Sequence, residues 1–392
     1  MTILRNPPRR GFCADEFALR VKRMQSILRA EELDAVFVTS PSNIRYFTGF
    51  DSQFWESPTR PWFVVVPREG AIIAVIPEIG APEMARTWVT DIRTWPAPCP
   101  EDDGVSLLAD TLSAVPRRFG RVGAEMGREM ALRMPVSDFL DLGTRMPEMK
   151  IVDGTPALWQ ARMIKTEAEI DHIRFICEVA SDAYIGLPDL ISIGDTERTA
   201  VKRLRADMCA RGADSVPFMP AISGPGGVAQ IVCGPQDRVL TQGDVLFIDT
   251  GATYDGYFCD FDRVYAMGSI DDAARRANEA VWQATELGIQ AARPGATMES
   301  VWKVMATALQ DAGSIGNNVG RLGHGLGMQL TEPPSFREGE ETIIQPGMVL
   351  TIEPGMEYAP GKMIVHEEDV VITEDGAHLL TIRAPREMPV IS

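Results

Sequence analysis

Histidine is scarce in this chain: four residues in 392, so a site built mainly on imidazoles has little to draw on. Cysteine is sparse as well. The six thiols, at 13, 99, 177, 209, 233 and 259, form no CxxC pair and keep no regular spacing. That argues against a disulfide framework or a zinc cluster and for buried, reduced thiols. No run of 18 or more apolar residues is present, so no spanning helix is expected. The start, MTILRNPPRRGFCADEF, is basic but lacks the apolar core of a signal peptide, which makes the cytoplasm the expected location. Positive charge is in deficit, with 38 Lys and Arg against 55 Asp and Glu and a net charge of −17. That balance argues against nucleic acid or an anionic membrane as partner. Low-complexity segments and short-period repeats are also missing.

What is present fits a globular chain with a full core: 45% hydrophobic and 24% charged residues. The length suggests two domains, placed at 1–155 and 156–392, of overall α+β class. In the first, residues 15–31 have helical periodicity, 34–40 read as a buried strand, and 62–67 with 71–77 read as a hairpin across Arg68-Glu69-Gly70. A helix over 105–115 and a strand over 121–125 complete an α/β unit. In the second, Thr166 and Glu169 have the spacing of a capping box and open a long helix to about residue 185. A helix over 196–211 leads to Gly212. The chain then becomes strand-rich, with helices near 271–292 and 297–312, which suggests a curved antiparallel sheet.

Acids concentrate in two hairpins of that second half. Asp249 and Asp260 lie roughly equidistant from Asp255-Gly256, a strong turn dipeptide, and are expected to face each other. Glu353 and Glu368 are placed the same way about Pro360-Gly361. Facing carboxylates repel unless a cation lies between them. With His324 they make a donor set suited to a pair of hard divalent ions, whose usual work is hydrolysis.

Those stretches resemble the pita-bread metallohydrolases: Xaa-Pro aminopeptidases, prolidases, methionine aminopeptidases and creatinases. The matching segments are GDVLFIDTGA (243–252), GYFCDFDR (256–263), GHGLG (323–327), PGMVLTIEPG (346–355) and EEDVVIT (367–373). NIRYFTGF (43–50) and MIKTEAEIDHIR (163–174) are similar to the N-terminal domain and domain junction of prolidases and creatinases. The resemblance implies a creatinase-like N-terminal domain, a pita-bread C-terminal domain and a homodimer. It also implies two divalent ions, manganese first, with cobalt, iron or zinc as alternatives. Asp249 would chelate one ion, His324 and Glu353 the other, and Asp260 and Glu368 would bridge them. The implied activity is that of an Xaa-Pro dipeptidase or aminopeptidase, attacking an amide C–N bond in a dipeptide or small carboxylate-bearing substrate. Glu332 or Glu353 would handle the proton.

The chain departs from that pattern at two positions. Relatives carry a histidine where Ile231 stands and another where Thr331 stands, and both contact substrate. Many also carry arginine two residues before the last ligand, the place expected for His366, which becomes a candidate proton carrier or a hydrogen-bonded structural histidine. His172 and His378 read as structural. Asp262 is read either as a partner behind the ligands or as a pair for Arg263. Creatinases bind substrate carboxylate with an arginine from the other subunit; Arg60, between Trp55 and Trp62, is a candidate for that grip or part of a surface turn. Competing activities on this fold are a creatinase- or ectoine-hydrolase-like amidohydrolase, a dimethylsulfoniopropionate-lyase-like enzyme, and a non-catalytic binding protein.

Overall fold

The computed structural model describes residues 5–56, 60–316 and 320–392. Contacts divide the described residues into two units, 9–162 and 163–392, the latter joined by residues 5–8. The division falls at 162/163, whereas the sequence suggests 155/156.

The first unit holds a mixed sheet of β1 (Ala35–Val38), β2 (Phe63–Pro67), β3 (Ile73–Pro77), β4 (Asp91–Trp95), β5 (Arg121–Ala124) and β6 (Lys150–Asp153), in the order β4-β3-β2-β1-β5-β6. The central strands β1, β2 and β3 are buried at every position, so they read as continuous apolar runs. The edge strands β4 and β6 are largely half-exposed and polar, and neither stands out in the sequence. The segment 43–50 is mostly helical. Ser40 caps a helix over Pro41–Thr48, and Gly49, at φ 76°, ends it in the left-handed conformation that suits glycine.

In the second unit the capping box forms as expected, and the helix it starts runs over Glu167–Gly186. Helices follow over Glu197–Arg211, Asp272–Ala291 and Met298–Asp311. The strands are β7 (Ser215–Phe218), β8 (Ala221–Pro225), β9 (Asp244–Tyr254), β10 (Tyr257–Phe258), β11 (Phe261–Met267), β12 (His324–Gly325), β13 (Glu332–Ser335), β14 (Val349–Ile352), β15 (Gly355–Ala359), β16 (Lys362–Val365), β17 (Glu368–Thr373), β18 (Gly376–Leu379) and β19 (Val390–Ile391). They fall into one sheet ordered β10-β9-β11-β19, with β7 and β8 also on β9, a second ordered β13-β12-β14-β17-β18, and a ribbon of β15 and β16. One apolar core packs Val245, Phe247 and Val264 against Ala277, Val281 and Ala284 of a long helix. Another gathers Leu350, Ile352, Val370 and Ile372 with Val301 and Met305. Sheets buried on both faces leave few routes for solvent. In β9, ten positions are buried and only Asp249 is partly exposed.

Candidate metal centre

The two acid-bearing hairpins form, and their registers decide which acids meet. β9 and β11 pair without irregularity, placing Asp249 opposite Asp262 and Thr250 opposite Phe261. The same register holds in β10, with Tyr257 opposite Tyr254, so Asp260 falls opposite Gly251. The expected facing of Asp249 and Asp260 is therefore corrected: they are diagonal neighbours, two residues apart in register. Because side chains alternate, Asp249, Asp260 and Asp262 share one face. Gly251 lies between them on that face, and a Cβ there would come within 2.3 Å of Leu330 Cδ1.

The second hairpin carries a larger correction. Counting outward from Pro360-Gly361 pairs Glu353 with Glu368. The β15–β16 arm, however, contains an irregularity between Glu357 and Ala359, which shifts the register by one and turns every later side chain to the other face. Ile352 thus lies opposite Glu368, and Glu353 opposite Glu367. Glu368 points away and is fully engaged. Its carboxylate accepts from Arg263 Nη2 at 3.0 Å, Arg383 Nη1 at 3.0 Å and the Ala384 amide at 2.8 Å, and from the Thr381 hydroxyl. Two donors on each oxygen fill its acceptor sites on the face away from the cluster. Glu367 stands on the cluster face instead. Potential ligand atoms of Asp260, His324 and Glu367 lie within 4.8 Å of one another, and Glu367 Oε1 is buried without a hydrogen-bond partner among the described residues.

His366 moves for the same reason. It directly precedes the ligand glutamate, turns to the opposite face, and bonds through Nε2 to Asn278 Oδ1 at 2.8 Å. There it lines a cavity of about 300 Å³ with Arg263, Arg383 and Tyr184. Its role as proton carrier to the carboxylate cluster is withdrawn. The residue two before the ligand is Val365.

His324 is set by glycines that its neighbours require. Gly323 has φ 132°, and a Cβ there would sit 2.2 Å from the Thr351 carbonyl oxygen. The imidazole Nδ1 lies 2.8 Å from the Gly325 carbonyl oxygen. A carbonyl only accepts, so Nδ1 carries the proton and Nε2 keeps its lone pair, 3.4 Å from Asp260 Oδ2. Burial, then the Arg321 charge, lowers the His324 pKa to about 3, leaving a neutral imidazole suited to a metal.

The carboxylates show the complementary strain. Burial raises Asp249 to about 7, and burial with the charge of Asp249 among its causes raises Glu353 to about 7. Asp260, Asp262 and Glu367 are pushed well up by burial first and by neighbouring acids second. Five acids crowded in a dry site hold protons unless cations replace them. The carboxylate-rich donor set, the neutral imidazole and the orphaned Glu367 oxygen all fit two hard divalent ions.

Asp262 belongs to this cluster rather than to Arg263. The Arg263 guanidinium donates to the Asp262 carbonyl, the Glu367 carbonyl and Glu368, while Asp262 Oδ1 is buried and unpartnered among the described residues. An Asp262→Asn variant should lose about 10- to 100-fold in metal affinity by calorimetry; unchanged affinity would separate Asp262 from the ions.

The remaining expected residues are placed as follows. Glu332 is 1% exposed at its side chain and ion-pairs with Lys165 Nζ at 3.1 Å; its other oxygen accepts the Gln329 amide at 3.1 Å. Thr331 Oγ1 accepts from Arg321 Nη2 at 3.3 Å. Ile231 packs on the apolar cluster around Val228 and Met363. Arg60, in the first unit, is half-buried, and its Nε makes no hydrogen bond among the described residues. Trp55 and Trp62 meet edge to face at 5.7 Å; residues 57–59 lie outside the described residues.

Two participants escape a linear reading: Glu367 is hidden by its twin, Glu368, and Arg321 has no periodic signal. Asp262 follows from alternation with Asp260, the first of its two readings above.

Residues 20–164 match the creatinase/prolidase N-terminal domain, and residues 171–374 match metallopeptidase family M24. The chain is 28% identical to the Xaa-Pro dipeptidase of Pyrococcus furiosus, covering 94% of this chain and 99% of that one. It is also 28% identical to the probable dipeptidase PepE of Mycobacterium tuberculosis, covering 97% and 98%. Among solved structures, dipeptidase PepE from Mycobacterium ulcerans superposes with a TM-score of 0.84 at 28% identity, over 97% of this chain and 99% of that one. A prolidase from Thermococcus sibiricus does so with 0.85 at 25%, over 97% and 100%. With the M24 model spanning more than half of the residues and the ligand-bearing hairpins inside that span, the chain belongs to metallopeptidase family M24 and is a metallohydrolase.

Proposed function

We propose that the protein is an Xaa-Pro dipeptidase that works with two divalent ions held by Asp249, Asp260, His324, Glu353 and Glu367. The observation that carries this reading is the buried trio of Asp260, neutral His324 and Glu367, whose Oε1 has no hydrogen-bond partner among the described residues. Relatives named dipeptidase and Xaa-Pro dipeptidase over nearly the full chain support the substrate class. Two ions in this site would polarise the scissile carbonyl and acidify a water. Manganese suits the carboxylate donors best, with cobalt, iron and zinc as alternatives.

The chain's own groups divide the remaining work. His324 stays neutral because its Nδ1 proton is committed to Gly325. Glu353, with a side chain 17% exposed, stands where it would take a proton from a metal-bound water and pass it to the leaving nitrogen. Glu332, bound to Lys165, shapes the wall instead. A homodimer in the cytoplasm is part of the proposal on the strength of the resemblance, and Arg60, expected from it as a carboxylate grip, is the rival to the cation argued below. No helix among the described residues is long and apolar enough to cross a membrane.

A non-peptide amidohydrolase is the second reading. It is favoured by Ile231, Thr331 and Val365 standing where relatives carry histidine, histidine and arginine. Manganese-loaded protein should release proline from Xaa-Pro dipeptides and leave cyclic amides, guanidino acids and sulfonium zwitterions intact. Full metal occupancy with turnover of the second group alone would overturn the peptidase reading.

A further inference from the structure

We propose that Arg321 binds the free C-terminal carboxylate of the substrate and thereby limits hydrolysis to dipeptides; this rests on the peptidase reading above. The cluster of Asp249, Asp260, Asp262, Glu353 and Glu367 is more negative than two dications can neutralise, and it cannot by itself attract an anionic substrate. A dipeptidase built on it needs a separate cation.

The candidates in the same unit are few. Arg263 and Arg383 are spent on Glu368 on the opposite face. Lys165 is 3% exposed at its side chain and paired with Glu332. Arg321 is also ion-paired, but its pair is longer and its side chain is more exposed. Its Nε lies 3.7 Å from Glu353 Oε1, and its side chain is 31% exposed. Side-chain exposure rises from 3% at His324 and 6% at Asp260 to 17% at Glu353 and 31% at Arg321, so Arg321 lies on the solvent side of the centre. Nη2 donates to Thr331 Oγ1 at 3.3 Å, which orients the guanidinium without neutralising it. A guanidinium has five N–H donors, and these contacts leave an edge for a bidentate carboxylate.

Position also sets substrate length. One residue separates the scissile carbonyl of a dipeptide from its terminal carboxylate, a span of about 3.3–3.6 Å per residue. A cation 3.7 Å from Glu353, on the solvent side of the cluster, would stand about one residue from a carbonyl bound there. A longer peptide would bring a neutral amide there instead.

The test compares kcat and KM for an Xaa-Pro dipeptide and its C-terminal amide in wild type, Arg321→Ala and Arg321→Lys, with metal content measured on each. The wild type should prefer the acid. Arg321→Ala should lose about 10- to 100-fold in kcat/KM on the acid, mainly through KM. The amide should lose far less, and Arg321→Lys should recover part of the difference. An unchanged acid-to-amide ratio in metal-replete Arg321→Ala overturns the proposal, as does an equal fall in kcat for both substrates. If the wild type cleaves neither, the peptidase reading fails separately. Calorimetry with L-proline and prolinamide then decides Arg321: weaker proline binding by Arg321→Ala supports the grip, and equal binding overturns it.

Discussion

Glu367→Ala should abolish hydrolysis, by about a thousandfold or more, because the ions contribute several kcal/mol of transition-state stabilisation. It should also lower bound metal below two ions per chain by elemental analysis. Glu368→Ala should behave differently. It leaves Arg263 buried, with its side chain 8% exposed and its ion pair gone, and breaking such a pair costs about 3–5 kcal/mol. The expected result is a lower melting temperature with metal binding retained in the protein that folds. Glu368→Gln keeps part of the hydrogen bonding and should be milder. The contrast separates two adjacent glutamates that one bulge assigns to opposite faces. If Glu368→Gln lost metal while Glu367→Ala kept it, the register argument would be wrong.

Stripping the ions should reverse the ordinary response of the fold to pH. Asp249 and Glu353 have carboxyls raised to about 7, chiefly by burial, whereas an unfolded chain titrates them near 4. Between those values the metal-free folded protein holds protons that the unfolded chain has released. Stability is therefore fully present below about pH 4 for these groups, declines as pH rises, and is lost by about pH 7. Chelator-treated protein should melt at a higher temperature at pH 5 than at pH 8, and manganese should restore most at the higher pH. Metal affinity should rise over the same window, because binding displaces protons. A melting temperature of the stripped protein that rises from pH 5 to pH 8 would contradict this account of the cluster.

Much of the fold was readable from local pattern. The Thr166–Glu169 capping box and the fully buried strands β1 and β2 carry strong signals because the physics that makes them is local or periodic. The edge strands β4 and β6 are polar and half-exposed, with nothing periodic to find. In the site, Asp249, Asp260, His324 and Glu353 were all visible as acids and an imidazole in ordered motifs. Glu367 was not, because a shift between Glu357 and Ala359 lies within a hairpin arm, and turn residues alone do not reveal a bulge. His366 was misplaced by the same single residue. Arg321 depends on which side chains lean on Thr331 and Glu353, a tertiary fact.

The central claim is that two divalent ions sit between the hairpins with Glu367, not Glu368, among their ligands. Anomalous diffraction at the manganese edge from crystals of the loaded protein tests it most directly. The account predicts two peaks bounded by Asp249, Asp260, His324, Glu353 and Glu367, with Glu368 still on Arg263 and Arg383. A loaded crystal with no peak in that cluster, or with an ion bound to Glu368, would contradict it.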